Sequence, residues 1–514
     1  MAEVHRQVER TYAADLGTEL PPLTALVAGT SGLPEVAAGA EPVRLEATYF
    51  DTDDLRLAAA GLTLRRRTGG TDAGWHLTVP AGADARAEVR LPPGRAVRTV
   101  PAPLRAMVRA VAGDARLRPV AEVRSDRTVH RLADATGRVL LEVVDDRVTA
   151  RRVRSTAGSG DATGAETTWR EVEVEPVEGT EDLLDALAER LDAAGLRAVP
   201  ARSTLRRVLG DVDGVPPRPR VRRTSSAGAV VAAYLAEQLD RLRSEDLPVR
   251  LGTPGAVHRM RVAARRSRGA LRTFGPLVDD AAAGPLRAEL SRLADVLGAA
   301  RDAEVLRARV RSRTAAGDAA DDPAAGVADG ALGQAEQEAR QALLAALDDD
   351  RYHALLRDLA ALVADPPLTK RGRSRARATL PRLVARRDRA VRRRLKRARG
   401  AARGRPRDEA LHRARKAAKA ARYAGEAVRP AFGKDARRYA RAMEALQEVL
   451  GEHHDTVVAR DRLRELARVA PDTGVAFLYG RLHAAEEARG REAERGVRSV
   501  ARRARRRRLR RWFG

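Results

Sequence analysis

The sequence predicts an α+β chain: an N-terminal eight-stranded antiparallel barrel, then an all-α domain of two helical bundles related by a pseudo-two-fold axis. Three observations lead there. Residue types alternate with a period of two through most of the first 210 residues, the signature of strands. The periodicity turns helical after a Pro- and Arg-rich stretch at 211–226 and stays helical. The helical part then carries one motif twice.

The expected strands are Val4–Ala13, Leu45–Asp51, Leu62–Arg67, Trp75–Val79, Arg86–Leu91, Val120–Leu132, Val139–Thr149 and Trp169–Pro176, with Gly-rich punctuation such as Thr68-Gly69-Gly70 between them. Short helices are expected at Asp54–Ala60, Pro103–Val111 and Thr180–Ala194. Eight strands with few helices suggest closure into a barrel. Charges alternate with apolar residues in an unusual way: Gln7 with Glu9, Arg65 with Arg67, Arg86 with Glu88 and Arg90, and Glu171 with Glu173 and Glu175 each share a face. Such faces ordinarily meet water. Recurrence on four strands, with both signs present, points to a charged interior, which is costly unless wet or filled by a ligand of matching charge.

Domain limits follow: 1–210 barrel, 211–226 linker, 227–514 helical domain, with repeats at about 227–365 and 375–500 and a basic tail at 501–514. Ala315–Gly333 reads as an Ala/Asp/Gly loop and Arg502–Arg511 as a solvated arginine tail. The repeated motif is His258-Arg-Met-Arg261-Val-Ala-Ala-Arg265-Arg266-Ser-Arg268 and His412-Arg-Ala-Arg415-Lys416-Ala-Ala-Lys419-Ala-Ala-Arg422. A second block follows each copy, Leu293-Ala-Asp-Val-Leu-Gly298-Ala-Ala-Arg301-Asp302 and Leu446-Gln-Glu-Val-Leu-Gly451-Glu-His453-His454-Asp455. The histidine-to-aspartate spacing is 44 residues in one copy and 43 in the other. His258, Arg261, Arg265 and Arg268, like His412, Arg415, Lys419 and Arg422, step by three and four and so line one helical face. Like charges so placed destabilise an isolated helix, and an anion would relieve them.

Charge divides unevenly. Residues 1–210 hold 29 Arg and no Lys against 31 Asp plus Glu, so the +27 excess of the whole chain lies in the rest. That asymmetry asks for a polyanionic partner. Nucleic acid is the weaker fit, because aromatics are only 3% of the chain and base platforms are therefore scarce. A ligand made wholly of phosphate suits forked guanidinium groups better. The chain has no cysteine, which excludes disulfides and thiol catalysis and allows a reducing cytoplasm. No apolar run approaches a membrane span and Met1–Asp15 is charged throughout, so neither membrane association nor a leader is expected.

Both halves resemble known families. Tyr49-Phe-Asp-Thr52, Leu64-Arg-Arg-Arg67, Trp75-His-Leu, Glu88-Val-Arg90, Asp145-Asp146-Arg-Val148 and Trp169-Arg-Glu-Val-Glu173 resemble a CYTH domain of the triphosphate tunnel metalloenzymes. The two repeats resemble a CHAD domain, a helical module with conserved histidines. The first resemblance implies a tunnel barrel that binds triphosphate and often hydrolyses it with Mg²⁺ or Mn²⁺. It implies Glu9, Glu171 and Glu173 as catalytic candidates, with Glu88 and Asp146 joining them as metal ligands. It implies Arg65, Arg67, Arg86, Arg124 and Arg127 as phosphate contacts. The second implies polyphosphate binding and association with polyphosphate granules, through His258, Arg261, Arg265, Arg266, Arg268, His412, Arg415, Lys419 and Arg422. The tunnel signature Glu-x-Glu-x-Lys is degraded to Gln7-Val-Glu9-Arg-Thr11, and two further expected lysines are Thr78 and Thr204. Binding of polyphosphate or triphosphate with weak or lost hydrolysis is therefore the leading expectation. An active metal-dependent inorganic triphosphatase anchored to polyphosphate, and a basic nucleic-acid- or ribosome-associated protein, are the alternatives.

Overall fold

The computed structural model describes residues 5–7, 10–17, 20, 35–80, 86–95, 97–134, 136–154, 162–163, 165–199, 204–210, 221–222, 224–314 and 323–513. They form two compact units that divide between Pro216 and Pro217.

The first unit is built on β1 (His5–Gln7), β2 (Arg10–Ala14), β3 (Glu35–Asp51), β4 (Thr63–Thr68), β5 (Gly74–Pro80), β6 (Arg86–Leu91), β7 (Arg118–Ala133), β8 (Val139–Arg154), β9 (Ala162–Thr163), β10 (Thr167–Pro176) and β11 (Arg197–Val199). Its helices are α1 (Arg56–Ala59), α2 (Ala102–Ala112), α3 (Glu181–Ala193) and α4 (Thr204–Leu209). The strands join in the order β1-β6-β5-β4-β3-β7-β8-β10-β2-β11, every ladder antiparallel, with β9 on β8. The sheet is therefore antiparallel as expected, but its described ladders do not close. The N-terminal run expected as one strand instead visits both ends, β1 pairing β6 and β2 pairing β10.

One face of this sheet is apolar and covered by helices. Tyr12, Leu132, Leu141, Val143, Val172 and Val174 pack against Leu184, Leu187 and Leu191 of α3. Burial of several such side chains, each contributing about 1.5–3 kcal/mol, fixes which way every strand faces, because a one-residue slip would turn them all out. The charged residues of the same strands are thereby directed to the opposite face.

The second unit is helical: α5 (Ala227–Arg250), α6 (Ala256–Thr273), α7 (Asp280–Thr314), α8 (Pro323–Asp348), α9 (Asp350–Ala364), α10 (Lys370–Arg373), α11 (Ala376–Gly400), α12 (Arg405–Ala427), α13 (Arg429–Arg468) and α14 (Thr473–Ala504). Helices α5–α8 and α11–α14 are the two repeats. Their relation shows in the backbone just before α5 and α11. Ala227 N–H donates to Ser374 O at 2.8 Å, and Ala376 N–H donates to Ser225 O at 3.1 Å. Reciprocal bonds between equivalent residues are what a pseudo-two-fold axis produces.

Two expectations are corrected. The loop expected at Ala315–Gly333 is helical from Pro323 onward, and 315–322 lies outside the described residues. Alanine favours helix, and Ala324, Ala328 and Leu332 are buried against Val475, Leu478 and Tyr479. The C-terminal arginine segment is not simply solvated: residues Arg507–Phe513 form a 3₁₀ helix, and Trp512 stacks on Phe432 at 5.0 Å between ring centroids. Packing in this unit is close at α10, where a Cβ on Gly372 would lie 2.1 Å from the Leu277 carbonyl oxygen. Gly372→Ala is expected to lower unfolding stability by about 1–3 kcal/mol, read as a shift in denaturant midpoint; an unchanged midpoint would show that the α10 backbone yields freely.

Candidate anion-binding sites

Directly paired residues share a sheet face, and the registers define the charged one. Tyr49, Arg65, His76 and Arg90 run across β3, β4, β5 and β6. Thr78 faces Glu88. Arg127, Asp146 and Glu171 run across β7, β8 and β10, and Glu173 faces Thr11. The face thus assembles Arg65, Arg127, Glu88, Asp146, Glu171 and Glu173. Arg67, two residues from Arg65 on β4, joins it and pairs with Asp72. Arg124 lies on the other side, half exposed and 3.3 Å from Glu46. Glu9 and the side chain of Arg86 lie outside the described residues.

Acids and arginines here satisfy one another. Glu88 sits 3.4 Å from Arg65, 2.7 Å from Arg90 and 3.1 Å from His76 Nδ1. Burial favours its protonation, but the His76 hydrogen bond and the Arg65 charge outweigh that and hold its carboxyl at about 2. Arg127 donates to both oxygens of Asp146 at 2.9 and 3.1 Å, Ser125 Oγ donates to the same carboxylate at 2.7 Å, and Glu173 lies 3.8 Å away from Arg127. Trp169 Nε1–H donates to Glu171 at 2.8 Å, and burial with the nearby Asp146 charge pushes that carboxyl up. Burial, reinforced by the Arg65 and Arg127 charges, lowers the Arg67 guanidinium to about 9. Of the three guanidinium groups on this face, Arg65 and Arg127 are held charged by their carboxylate neighbours, and Arg67 alone is lowered.

The positions read as lost lysines Thr11 and Thr78 both lie on this face, opposite Glu173 and Glu88. Thr204 opens α4, whose Leu205 and Leu209 pack with Tyr49, Val148 and Trp169. Among the described residues no group of three or more His, Cys, Asp or Glu is placed to hold a metal ion. Asp146 and Glu171 are adjacent across two strands. Mg²⁺ commonly takes one or two carboxylates and completes its shell with phosphate oxygens and water. The donor set therefore fits an ion that arrives with phosphate better than one resident without it.

In the helical unit, the second motif block explains the first. Arg261 donates to Asp302 at 3.0 Å, and Arg415 reaches Asp455 at 3.5 Å, the same contact in each repeat. Gly298 and Gly451 make room: a Cβ at Gly298 would lie 3.4 Å from the Arg261 guanidinium, and one at Gly451 3.6 Å from Arg415 Nε. Helices α6 and α12 pack closely at Gly269, where a Cβ would lie 3.4 Å from the Tyr423 ring. Their cationic stripes converge. Lys419 is half-buried and feels Arg265, Arg415 and Arg261; with burial as the main cause, its ammonium is lowered to about 6. Arg415 is lowered too, by burial and then by Arg265 and Arg261 against the pull of Asp455. The Nε atoms of Arg261, Arg265 and Arg415 are buried with no hydrogen-bond partner among the described residues.

Residues 30–209 match the model of the CYTH domain and residues 233–464 that of the CHAD domain. An uncharacterized protein of Mycobacterium tuberculosis (strain ATCC 25618 / H37Rv) is 36% identical over 506 residues, covering 94% of this chain and 93% of its own. The chain belongs to the CYTH–CHAD family. Among solved structures, PptA from Streptomyces chartreusis aligns with a TM-score of 0.46 and 22% identity over 54% of this chain and 100% of its own. The CHAD domain from the plant Ricinus communis aligns with a TM-score of 0.44 and 28% identity over 56% and 96%.

The histidines of the CHAD domain differ between repeats. His412 Nδ1 lies 2.9 Å from His454 Nδ1, one ring donating and the other accepting. His454 has Arg301 as its counterpart in the first repeat. Burial and the cations around them hold His412 at about 4 and His454 at about 3, and burial with Arg301 and Arg265 lowers His258. The structure therefore gathers His258, Arg261, Arg265, His412, Arg415 and Lys419 of the expected residues, and adds Arg301, His454, Asp302 and Asp455. The last four stand in the second block, whose recurrence was visible but whose partners were not. The other expected residues are engaged elsewhere. Arg266 pairs with Glu426 at 3.0 Å and lies over the Tyr423 ring, Arg422 pairs with Glu426 and Glu444 at 2.7 and 2.6 Å, and Arg268 donates to Ser291 at 2.8 Å.

Proposed function

We propose that this CYTH–CHAD protein binds inorganic polyphosphate through the cationic cluster of its CHAD domain, and a triphosphate-like group at the charged face of its CYTH domain, with hydrolysis weak or lost. One observation carries the reading: Arg261, Arg265, Arg415 and Lys419 of the two repeats meet at one place, with Asp302 and Asp455 as the acids that offset them. A linear chain of anionic oxygens lying along Arg261, Arg265, Arg415 and Lys419 would supply the missing acceptors in the forked geometry guanidinium groups favour. No Phe, Tyr or Trp lies within the cluster's motifs to serve as a base platform.

On the CYTH face, Arg65, Arg67 and Arg127 would hold phosphate oxygens, and Asp146 with Glu171 and Glu173 would take Mg²⁺ or Mn²⁺ carried in with them. Such an ion neutralises phosphate charge and polarises phosphorus for attack by water. With threonines at 11 and 78 and glutamine at 7, less positive charge and one fewer carboxylate remain to stabilise a transferring phosphoryl group. Binding should outlast turnover. The deciding assay is phosphate release from inorganic triphosphate with Mg²⁺ or Mn²⁺, alongside long-chain polyphosphate binding by the same preparation. Binding without release that Glu9→Ala abolishes is the expected result. Release that requires Glu9 would establish instead an anchored triphosphatase, and a chain that binds RNA more tightly than polyphosphate at matched salt would overturn the reading.

A further inference from the structure

We infer that the outer face of α11, with the C-terminal arginine segment docked beside it, is a second polyanion surface that grips duplex DNA by its phosphate backbone without reading sequence. Helix α11 buries Leu380, Leu383, Val384, Val391 and Leu395 in the bundle. Arg382, Arg386, Arg389, Arg393 and Arg397 are exposed and step by three and four, so they form one continuous ridge. None of the five has an ion-pair partner among the described residues. The helix's single acid, Asp388, is buried and already held by Arg392 at 3.0 Å and Arg510 at 3.7 Å. That last contact lays the C-terminal segment alongside α11 with Arg507 and Arg508 exposed, which adds to the same positive field. Adjacent like charges on a helix repel one another, and an anion laid along them relieves that repulsion.

Shape and chemistry select the occupant. A membrane-surface helix needs exposed apolar side chains to insert. Here the apolar face of α11 is buried, and Trp512 and Phe513 turn inward onto Phe432 and Tyr439. Single-stranded nucleic acid needs stacking rings, and the ridge has none. The major groove of A-form RNA is too narrow for side chains to read, whereas that of B-DNA admits a helix. The ridge from Arg382 to Arg397 rises about 22 Å, so it can follow the phosphates over much of the roughly 34–36 Å turn of B-DNA. The half-buried cluster between the repeats suits a thin chain, while an exposed ridge suits a duplex.

The test is anisotropy of a labelled duplex of random sequence, titrated with the full chain at several salt concentrations. The triple variant R386Q/R389Q/R393Q is expected to lose about tenfold or more in DNA affinity, with the log–log salt slope reduced by about 2.7 for three lost phosphate contacts. R261E/R265E should leave DNA affinity within about twofold, since those residues belong to the other site. The conservative R386K/R389K/R393K keeps the charge and should keep binding, which guards against loss through misfolding. The inference is overturned by a triple Gln variant that binds DNA like wild type, or by equal loss in both variants, which would put DNA in the central cluster. Tighter binding to duplex RNA or to anionic vesicles than to duplex DNA would overturn it as well.

Discussion

Reversing charge at Arg261 and Arg265 together is expected to raise the Kd for long-chain polyphosphate at least about 100-fold. Each guanidinium would make charge-assisted hydrogen bonds to phosphate worth about 1.5–3 kcal/mol, and replacing both by carboxylates adds repulsion where the ligand is most negative. Arg261 and Arg265 are the informative pair because the two repeats meet there. Both lower the Lys419 and Arg415 pKa values, so they lie within electrostatic reach of the second repeat as well as their own. The Asp302 partner of Arg261 is exposed, so losing that contact costs little stability, and the variant should melt near wild type. Arg266→Gln is the contrasting control. Its charge is spent on Glu426 beneath the Tyr423 ring, so its loss should weaken the α6–α12 contact rather than ligand affinity. Unchanged polyphosphate affinity in a folded R261E/R265E chain would remove the cluster from the binding site.

Much of the fold was legible because each face had an alternating chemistry. On β10, Val172 and Val174 are fully buried under α3 while Glu171 and Glu173 point the other way, and that pattern can be read directly as a strand with a charged side. The split of the N-terminal run into β1 and β2 was not legible, since alternation says nothing of which neighbour each residue pairs with. The stretch after Pro323 was misread because Ala and Gly are common to loops and helices; burial of Ala328 against the last bundle helix decided it. The motif spacing showed that two repeats exist. It did not show that the recurring aspartate is there to hold the recurring arginine, nor that Arg266 and Arg422 would share Glu426. Apart from the Arg422–Glu426 pair, which is one helical turn apart, those facts depend on contacts across 40 to 160 residues, which periodicity does not encode. The two repeats also differ in kind at His454 against Arg301: the imidazole pairs with His412, whereas Arg301 lowers His258 and donates to Glu304 at 2.9 Å.

Polyphosphate binding above pH 6 is expected to take up close to one proton, and Lys419→Arg to abolish that uptake. In the free protein Lys419 is lowered to about 6 by burial and by Arg265, Arg415 and Arg261, so at pH 7.5 it is mostly neutral. A phosphate chain among those cations favours the charged ammonium and raises its pKa toward the ordinary lysine value. The sign follows from linkage: the complex binds more protons than the free chain, so affinity is greatest below about pH 6 and declines as pH rises toward the bound-state pKa. In the steepest region one proton per site means about tenfold in affinity per pH unit. The histidines of the cluster contribute in a separate window, because His412 at about 4 and His454 at about 3 are raised from well below neutrality. Arginine at 419 stays charged throughout, so the variant should bind more tightly than wild type at pH 8 and show a flat profile there. Calorimetry at pH 7.5 in two buffers of different ionisation enthalpy measures the uptake directly. No uptake by wild type, with binding intact, would mean that the polymer does not reach Lys419 and that the chain is held by Arg261 and Arg265 alone.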